Sequence, residues 1–469
     1  MKNAALSGKP YAGNPHVRFD EGKVASAKPR RGSLLYSKCL VSLMAGASLA
    51  TAFAEGAGPE LSDVALSQTD GTVTITYTLA NGPAVVTADI LTNAVNAAEG
   101  VSIGARNLWN LDGDVNRLVT DDGPHTITWK PANSWPGHRV ADASVRARLT
   151  AWEPTTPPPY MVVALKKKDV RYYASEDALP GGLHENPEYK LTKVVMKRIE
   201  AAGQTATLHP QGTAVQKTMD ADYYIGVFEV TRGQWAQYGL ASQSNGFNIE
   251  TAFRPMANVS CTQIRYSTLR GDWGLDAGHL YPNAPAWEAP QGDGSYVWNS
   301  FLSYCRVNTG VGFDLPTAEQ WEYAARGGYG DDCWGDGTKM MTTAVDANLD
   351  KLGRYKSNGG EVSEDYPANR GVAQADWTSA NGSAVVGSYK PNGYGLYDMH
   401  GNVAEWTEGY TELANGTAIC DARGGDWKSD ATACGASSNK RIHGANMSSG
   451  TYGGYENVGF RLAAPCIAK

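Results

Sequence analysis

The sequence predicts two folded parts, an all-β sandwich over residues 60–152 and a loop-rich part over residues 160–469. Apolar and threonine side chains alternate along residues 72–79, which is the period-two pattern of a half-buried strand. A proline-rich stretch, residues 153–159, is expected to act as a stiff linker between the parts. The 53 glycines, 13 tryptophans and 24 tyrosines favour a loop-rich fold with aromatic anchors over a helical bundle.

Residues 1–54 have the composition of a targeting segment. Basic residues between 28 and 38 precede an apolar stretch at 39–53, which is short for a bilayer span, and Ala52-Phe53-Ala54 matches an A-x-A cleavage site. We therefore predict a signal peptide and export to the periplasm or the extracellular space, with no membrane span after cleavage. The alternative is a short membrane anchor that stays uncut.

Charge and cysteine content narrow the function classes further. The net charge is −7 and no basic patch is present, which argues against nucleic-acid binding. Six cysteines follow the predicted cleavage site, and an even number in an exported chain indicates disulfides. None of them forms a CxxC pair, so a zinc knuckle is not expected. The six are Cys261, Cys305, Cys333, Cys420, Cys434 and Cys466.

The sandwich is predicted from short alternating strands separated by turns. Asn81-Gly82-Pro83 marks a turn between two of these strands. The expected inward-facing residues are Val73, Ile75, Tyr77, Leu79, Val86, Ala88, Ile90, Ile127, Trp129, Val145, Ala147 and Leu149. This spacing favours an immunoglobulin-like or fibronectin-like sandwich that serves as a spacer or binds a partner.

The second part contains one predicted strand and three predicted helices. Val194, Val195, Met196 and Ile199 are expected to form an opening strand. Thr231 begins the first helical stretch, and Trp298, Phe301, Leu302 and Cys305 form the apolar stripe of the second. Thr317 and Gln320 make a capping box for the third helix, whose buried face holds Trp321, Ala324 and Ala325 and whose end is Gly327-Gly328.

The stretch 391–406 combines glycines with oxygen-bearing side chains. Its glycines indicate a backbone folded tightly on itself, and Asp398, Asn402 and Glu405 lie within it. Oxygen ligands on such a loop are what a hard cation such as calcium requires. The alternative is a turn-rich loop whose Asp and Asn side chains only cap backbone amides.

Four further segments flank this stretch in a fixed order, GVFEVTRGQW (226–235), DLPTAEQWEYAARGG (314–328), ARGGDW (422–427) and GFRLA (459–463). Together the five segments resemble the formylglycine-generating enzyme, or sulfatase-modifying factor, family. The resemblance implies an irregular α+β fold related to C-type lectins, with bound calcium, over residues 160–469. The expected fold class is therefore α+β, a C-type-lectin-like domain preceded by an all-β immunoglobulin-like sandwich.

The resemblance also implies ligands for two calcium ions. The first set is the Asp398 and Glu405 side chains with the Gly401 and Val403 carbonyls. The second begins at Asn348 and Leu349, and the rest of that set falls within 357–376, where no clear match exists.

Enzymatic members of the family are expected to hold copper between two cysteines five residues apart and to oxidise a sulfatase cysteine to formylglycine. Cys434 stands at the second cysteine position, but Ser429 stands at the first. Asp426 replaces a serine, and Ala404 replaces a tryptophan. Because copper(I) prefers two thiolates, copper binding is not expected. Cys434 is then half of a disulfide, with Cys420 as one partner, or a weak candidate for a catalytic thiol.

A second branch of the family uses non-haem iron, which prefers clustered histidines. The histidines after the predicted cleavage site show no HxxxH or similar spacing, so iron chemistry is unsupported. They are His125, His138, His184, His209, His279, His400 and His443.

Two functions are therefore open. The first is an exported, catalytically degenerate binding module with structural calcium, whose residues 429–456 form a surface for a protein or glycan ligand; these residues are rich in Ser, Asn, Gly and Tyr. The alternative is a formylglycine-generating oxidase with an altered metal site, acting on a sulfatase chain.

Overall fold

The structure is a computed structural model that describes residues 58–93, 100–138, 144–239, 251–265, 300–358, 382–412, 418–445 and 455–466. The predicted signal segment, residues 1–54, lies outside these ranges. No helix within them is long and apolar enough to cross a membrane.

Residues 60–152 form two antiparallel sheets. The strands and helices described there are β1 (Glu60–Thr69), β2 (Thr72–Ala80), β3 (Ala84–Thr92), β4 (Val101–Ser102), a 3-10 helix (Ala105–Leu108), β5 (Asp112–Gly113), β6 (Leu118–Val119), β7 (Gly123–Trp129), α1 (Pro131–Ser134) and β8 (Arg146–Trp152). One sheet has the order β1-β2-β7-β5. In the other, β3 pairs along most of its length with β8 on one side and with β4 and β6 on the other.

Side chains from both sheets fill one core, as the alternation predicts. On β2, Val73, Ile75, Tyr77 and Leu79 are at most 1% exposed, while the threonines between them remain accessible. Ile127 and Trp129 of β7 join them in the same core. The predicted sandwich strands are therefore confirmed, whereas the immunoglobulin-like character of the sandwich stays a prediction.

Strand β3 departs from simple alternation because both of its faces are covered. Val86 and Ile90 point into the sandwich core, and Val85 is equally buried. Val85 packs with Met161 and Val163 in the core of the second part. The sequence could not show this, since the covering residues come from a later part of the chain.

The predicted linker is packed rather than free. Pro157 and Pro158 are buried. The Pro158 carbonyl accepts a hydrogen bond from the Tyr224 hydroxyl at 2.5 Å, and the Pro159 carbonyl accepts one from the Arg198 amide at 2.8 Å. The described residues of Gly56–Lys469 form one compact unit, and the division at 153–159 into independent domains stays a prediction.

The second part is built on two sheets and a hairpin. Its strands are β9 (Tyr160–Ala164), β10 (Val170–Tyr173), β11 (Lys193–Ile199), β12 (Thr205–Leu208), β13 (Val215–Thr218), β14 (Tyr223–Gly226), β15 (Ala404–Glu412), β16 (Ala418–Arg423), β17 (Asn439–Ala445), β18 (Val458–Gly459) and β19 (Ala463–Pro465). The sheet orders are β10-β9-β11-β14-β19 and β17-β16-β15-β18, and β12 pairs with β13. Strands β15 and β18 are parallel, and the other pairs are antiparallel.

The helices of this part are short: α2 (Glu188–Leu191), α3 (Arg232–Ala236), α4 (Cys261–Arg265), α5 (Phe301–Thr309) and α6 (Ala318–Ala325). Short 3-10 turns lie at Glu176–Ala178, Leu349–Lys351, Lys356–Asn358 and Ala431–Ala433. This sheet-rich arrangement with few helices agrees with the α+β prediction.

The predicted helix starts are confirmed by their caps. Thr317 and Gln320 exchange hydrogen bonds of 3.0 and 3.1 Å ahead of α6. Thr231 and Gln234 exchange hydrogen bonds of 2.9 and 3.1 Å ahead of α3. These caps satisfy amide groups that the first helical turn leaves unpaired. Trp298 of the second predicted stripe lies outside the described residues.

The predicted opening strand is β11, at the centre of the five-stranded sheet. All four predicted residues are buried. Val194 and Met196 pack in the core around Trp406, whereas Val195 and Ile199 belong to two other apolar clusters.

Candidate functional site

The stretch 391–406 forms a buried loop that leads into β15. Asp398 and Asn402 adopt left-handed conformations, with φ of 57° and 62°. Gly401 has φ of 86°, and a Cβ atom there would lie 2.2 Å from the Arg354 carbonyl oxygen. The predicted tight fold of the loop is therefore confirmed, and position 401 requires glycine because it has no room for a side chain.

Three buried carboxylates meet around this loop: Glu229, Asp398 and Glu405. Glu405 forms a two-pronged pair with Arg461, in which Oε1 accepts from Nη2 at 2.5 Å and Oε2 accepts from Nε at 2.6 Å. The Trp321 indole N–H also donates to Oε2, at 2.6 Å. Both oxygens of Glu405 are thus engaged by protein donors.

Glu229 was not predicted as a site residue, yet it is fully buried beside the loop. Its Oε2 accepts from the Asn402 side-chain amide at 2.6 Å, and its Oε1 accepts from the Val403 backbone amide at 3.2 Å. Burial, together with repulsion from Asp398 and Glu405, raises the pKa of Glu229 well above its usual range. The EVT segment (229–231) carries part of the family resemblance, but nothing local marks its glutamate as a partner of Asn402, 173 residues later.

Asp398 is the carboxylate with an unused oxygen. Its Oδ2 accepts from the Gly387 amide at 2.6 Å, whereas its buried Oδ1 has no hydrogen-bond partner among the described residues. Burial raises the pKa of Asp398 to about 6, although the Gly387 amide, Arg461 and Lys190 each oppose the rise. Buried polar atoms are normally satisfied, so an orphaned carboxylate oxygen indicates a further partner, such as a water molecule or a cation.

These residues fit a hard cation at the Asp398 end of the cluster. Of the four ligand positions that the resemblance implies, Asp398, Gly401 and Val403 lie on the loop and Glu405 follows on β15. Asp398 offers a free oxygen, while Glu405 already binds Arg461. A bound calcium ion would supply positive charge where three carboxylates exceed their cationic neighbours. Calcium binding itself stays a prediction.

The second predicted calcium set gains less from the structure. The Asn348 side chain donates to the Lys339 carbonyl at 3.0 Å, and Leu349 is buried in an apolar cluster. Nearby, Asp346 accepts hydrogen bonds from four donors at both of its oxygens, and these bonds outweigh burial and lower its pKa. The remaining positions, 359–376, lie outside the described residues.

The position of the family's copper site holds one buried thiol. Cys434 has no exposed surface and packs with Trp334, Leu349 and Tyr355. Burial raises the pKa of this thiol far above its usual value. The Ser429 hydroxyl, at the other ligand position, accepts a hydrogen bond from the Asp426 amide at 3.2 Å. A hydroxyl and a protonated thiol do not fit copper(I).

The suggested Cys420–Cys434 disulfide is wrong for this structure. Both cysteines are free. Cys434 lies in the cluster around Trp334, whereas Cys420 lies in the core around Trp406. Closeness in sequence did not bring them together, because β16 and the turn that holds Cys434 face different cores.

Two further departures from the family pattern are accommodated by packing and charge. Asp426 is 1% exposed, and its carboxylate accepts from the Lys428 amide at 2.9 Å and from the Lys440 ammonium at 3.1 Å. Ala404 is fully buried in the same core as Trp406. The buried carboxylate therefore has the partner that a sequence-based argument could not name.

His400 is a structural residue. Its Nε2 accepts from the Gly335 amide at 3.0 Å, and its Nδ1–H donates to the Cys434 carbonyl at 2.9 Å. Burial lowers the pKa of His400 to about 4, so the ring is neutral near pH 7. A histidine with both nitrogens occupied cannot serve as an iron ligand.

Within the described residues, a single group of potential metal ligands contains a histidine: His209, Glu322 and Asp331. Two arginines already neutralise it. Arg326 donates to Glu322 at 2.6 Å and pairs with Asp331, and Arg423 donates to Glu322 at 3.2 Å. This arrangement is an ion-pair network, and two guanidinium groups would repel a metal ion.

The family described as "Sulfatase-modifying factor enzyme 1-like domain" matches residues 192–465, more than half of the chain. This chain belongs to that family. Among its curated relatives, formylglycine-generating enzyme of Mus musculus is 26% identical over 219 residues, which are 43% of this chain and 52% of the relative. Inactive C-alpha-formylglycine-generating enzyme 2 of Bos taurus is 30% identical over 191 residues, 38% of this chain and 56% of the relative. The chain thus spans little more than half the length of these two relatives.

Among solved structures, Treponema denticola variable protein 1 is similar, with a TM-score of 0.37 and 24% identity, covering 58% of this chain and 96% of that one.

Proposed function

We propose that this member of the sulfatase-modifying factor family is an exported, catalytically degenerate binding module, stabilised by calcium, that presents residues 429–456 to a protein or glycan ligand. The observation that carries the proposal is the pair Ser429 and Cys434. A serine hydroxyl stands at the first copper position, and the remaining thiol is buried with a raised pKa.

The chemistry of family enzymes needs two soft sulfur ligands, which these side chains do not provide. The Ser429 hydroxyl is already used by the Asp426 amide. Burial, together with the Asp426 carboxylate, raises the pKa of Cys434 and so disfavours the thiolate that copper(I) requires. The alternative function, a formylglycine-generating oxidase acting on a sulfatase cysteine, would require a rearranged metal site.

The relatives' names are compatible with either function. One similar protein is named a formylglycine-generating enzyme and another an inactive C-alpha-formylglycine-generating enzyme 2. Because the chain spans little more than half of each, neither activity nor inactivity transfers directly. The choice rests on Ser429 and Cys434.

The ligand surface is supported by the accessible residues of 429–456. Thr432, Ala433, Lys440 and Arg441 are exposed on the turn and strand that follow Trp427. At the far end of the segment, Glu456 forms an ion pair with Lys428. Adaptable polar side chains on a firm framework are the chemistry of ligand-binding surfaces.

Calcium is assigned a structural role in this proposal. This role is supported by the Asp398 oxygen that lacks a hydrogen-bond partner and by the raised pKa values of Glu229 and Asp398. The sandwich of residues 60–152 is proposed to be immunoglobulin-like and to serve as a spacer or to bind a partner. Export to the periplasm or the extracellular space completes the proposal.

The catalytic half of the proposal is tested with a sulfatase-type cysteine peptide. The purified chain is incubated with the peptide with and without copper, and mass spectrometry follows loss of thiol and gain of aldehyde. We expect no conversion by the unmodified chain, and Ser429→Cys is expected to regain copper(I) binding at most. Turnover that disappears in Cys434→Ala would establish the oxidase instead.

The binding half is tested on a glycan array and a panel of extracellular protein domains. Thr432→Asp combined with Arg441→Glu should abolish any specific signal, because both residues are exposed on the proposed surface. The control is Val215→Thr, an exposed change on the separate β12–β13 hairpin. A signal that survives the double change but depends on the sandwich would place the ligand elsewhere.

A further inference from the structure

Cys261 and Cys420 are far apart in sequence but adjacent in space. Cys261 is the first residue of α4, and Cys420 lies on β16. Both pack in the core that contains Trp406 and Ala422, where the two thiols lie near enough to interact. Both are free thiols in this structure.

Contacts on both sides of Cys261 hold it against this sheet. The Val259 carbonyl accepts from the Trp406 indole N–H at 2.9 Å. Ser260 and Gln263 form a reciprocal cap at the start of α4, with hydrogen bonds of 2.9 and 3.2 Å. At the other end of the helix, Arg265 binds Asp314 at 2.7 Å.

Cys420 is held equally firmly from the sheet side. On β16 its backbone lies between β15 and β17, opposite Tyr410 and Ile442. Independent contacts therefore hold the two cysteines in the same part of the core without a covalent bond between them. A disulfide requires such proximity, because distant cysteines cannot be bridged without moving the backbone.

We propose that Cys261 and Cys420 are a disulfide-forming pair, oxidised when the chain meets a disulfide oxidant such as glutathione disulfide or an oxidised dithiol protein. Two S–H bonds break, one S–S bond forms, and the two protons pass to the sulfurs of the oxidant. The two electrons reduce the oxidant's disulfide to two thiols. The inference does not depend on the proposed ligand or on calcium.

Burial favours early formation of the bond. In the folded chain, burial and the neighbouring Cys420 raise the pKa of Cys261 well above its usual value, so little reactive thiolate is present. The bond is therefore expected to form most readily while the chain folds. It would join α4 to β16, the strand that carries the chain toward the proposed surface 429–456.

The test uses the full chain refolded in a glutathione redox buffer. Free thiols are alkylated in denaturant, and the digest is mapped by mass spectrometry with and without reductant. We expect the peptides containing Cys261 and Cys420 to be joined and the other four cysteines of residues 261–466 to be alkylated. Alkylation of both residues, or a bond from either to a different cysteine, would overturn the proposal.

A second measurement uses thermal unfolding. Reduction should lower the melting temperature by about 5 °C, since a native disulfide closing a long loop stabilises the folded state. The double variant Cys261→Ser, Cys420→Ser should melt like the reduced chain and no longer respond to reductant. Cys333→Ser, at a partly exposed free cysteine, is the control and should keep the response. An undiminished response in the double variant would contradict the assignment.

Discussion

Replacing Asp398 by asparagine tests whether a cation binds the Asp398 carboxylate or whether this carboxylate is buried without one. Asparagine keeps the size of the side chain, tolerates the left-handed backbone at 398, and can still accept from the Gly387 amide through its carbonyl oxygen. It removes the charge that Oδ1 carries without a partner. The variant therefore changes electrostatics with little change in packing.

The size of the effect follows from the pKa of Asp398. Burial raises this pKa from 3.8 to about 6. The difference corresponds to about 3 kcal/mol between the charged and neutral forms in the folded state. Because the folded pKa is the higher one, the folded state binds more protons between about pH 4 and 6, and stability falls as pH rises through that window.

The expected result differs with and without calcium. In a chelator at about pH 7.5, Asp398→Asn should be as stable as the unmodified chain or up to about 2 kcal/mol more stable, because the charge penalty is gone. With calcium at about 100 times its dissociation constant, the unmodified chain should gain about 2.7 kcal/mol and the variant little. Calcium should therefore reverse the order of stability. Near pH 5 the gain should shrink, because protons compete for Asp398.

The assay is urea unfolding followed by tryptophan fluorescence. Asp222→Asn is a matched control, since Asp222 accepts from the Ala201 and Ala202 amides at 2.9 and 3.0 Å, away from the loop. It should lose stability equally with and without calcium. If the unmodified chain unfolds identically in calcium and in chelator, and Asp398→Asn is the weaker protein in both, the cation site is refuted.

Three further outcomes are expected. Arg461→Met should lower the free energy of unfolding by about 3–5 kcal/mol in urea titrations, because Glu405 would stay buried without its partner, and a loss below about 1 kcal/mol would contradict this. Cys434 should resist iodoacetamide in the native protein and react in denaturant, since burial raises the pKa of its thiol; rapid native labelling would show an accessible site. Limited proteolysis should spare residues 154–159, where the Pro158 carbonyl is held in a hydrogen bond, and a stable fragment starting near 160 would instead support independent domains.

Local patterns in the sequence were sufficient to predict local structure. The cap formed by Thr317 and Gln320 spans three residues, so the same spacing that defines the motif also places its atoms within hydrogen-bond reach. The alternation along β2 likewise depends only on strand geometry. Both features hold whatever the rest of the chain does.

The candidate site depends on contacts that no local pattern encodes. Glu229 meets Asn402 across 173 residues, and Arg461 meets Glu405 across 56. The resemblance named Asp398 and Glu405 but could not show that Arg461 engages one of them and leaves an oxygen of the other unpaired. The predicted pairing of Cys434 with Cys420 was wrong for the same reason, since spacing along the chain carries no information on which core a cysteine faces.

The segment that includes Ser429 and Cys434 is held in place by groups that take no part in copper chemistry. The Gly401 amide donates to the Gly424 carbonyl at 2.7 Å, the Trp427 amide donates to the Asn402 carbonyl at 3.0 Å, and His400 donates to the Cys434 carbonyl at 2.9 Å. Each bond uses a backbone carbonyl of one partner. A serine instead of a cysteine at position 429 therefore leaves all three bonds intact. A chain can therefore lose the ligands that copper requires and keep an ordered segment at the same place. Since the central loop carries both these bonds and Asp398, a cation there would stabilise the base of the proposed binding surface without taking part in any reaction.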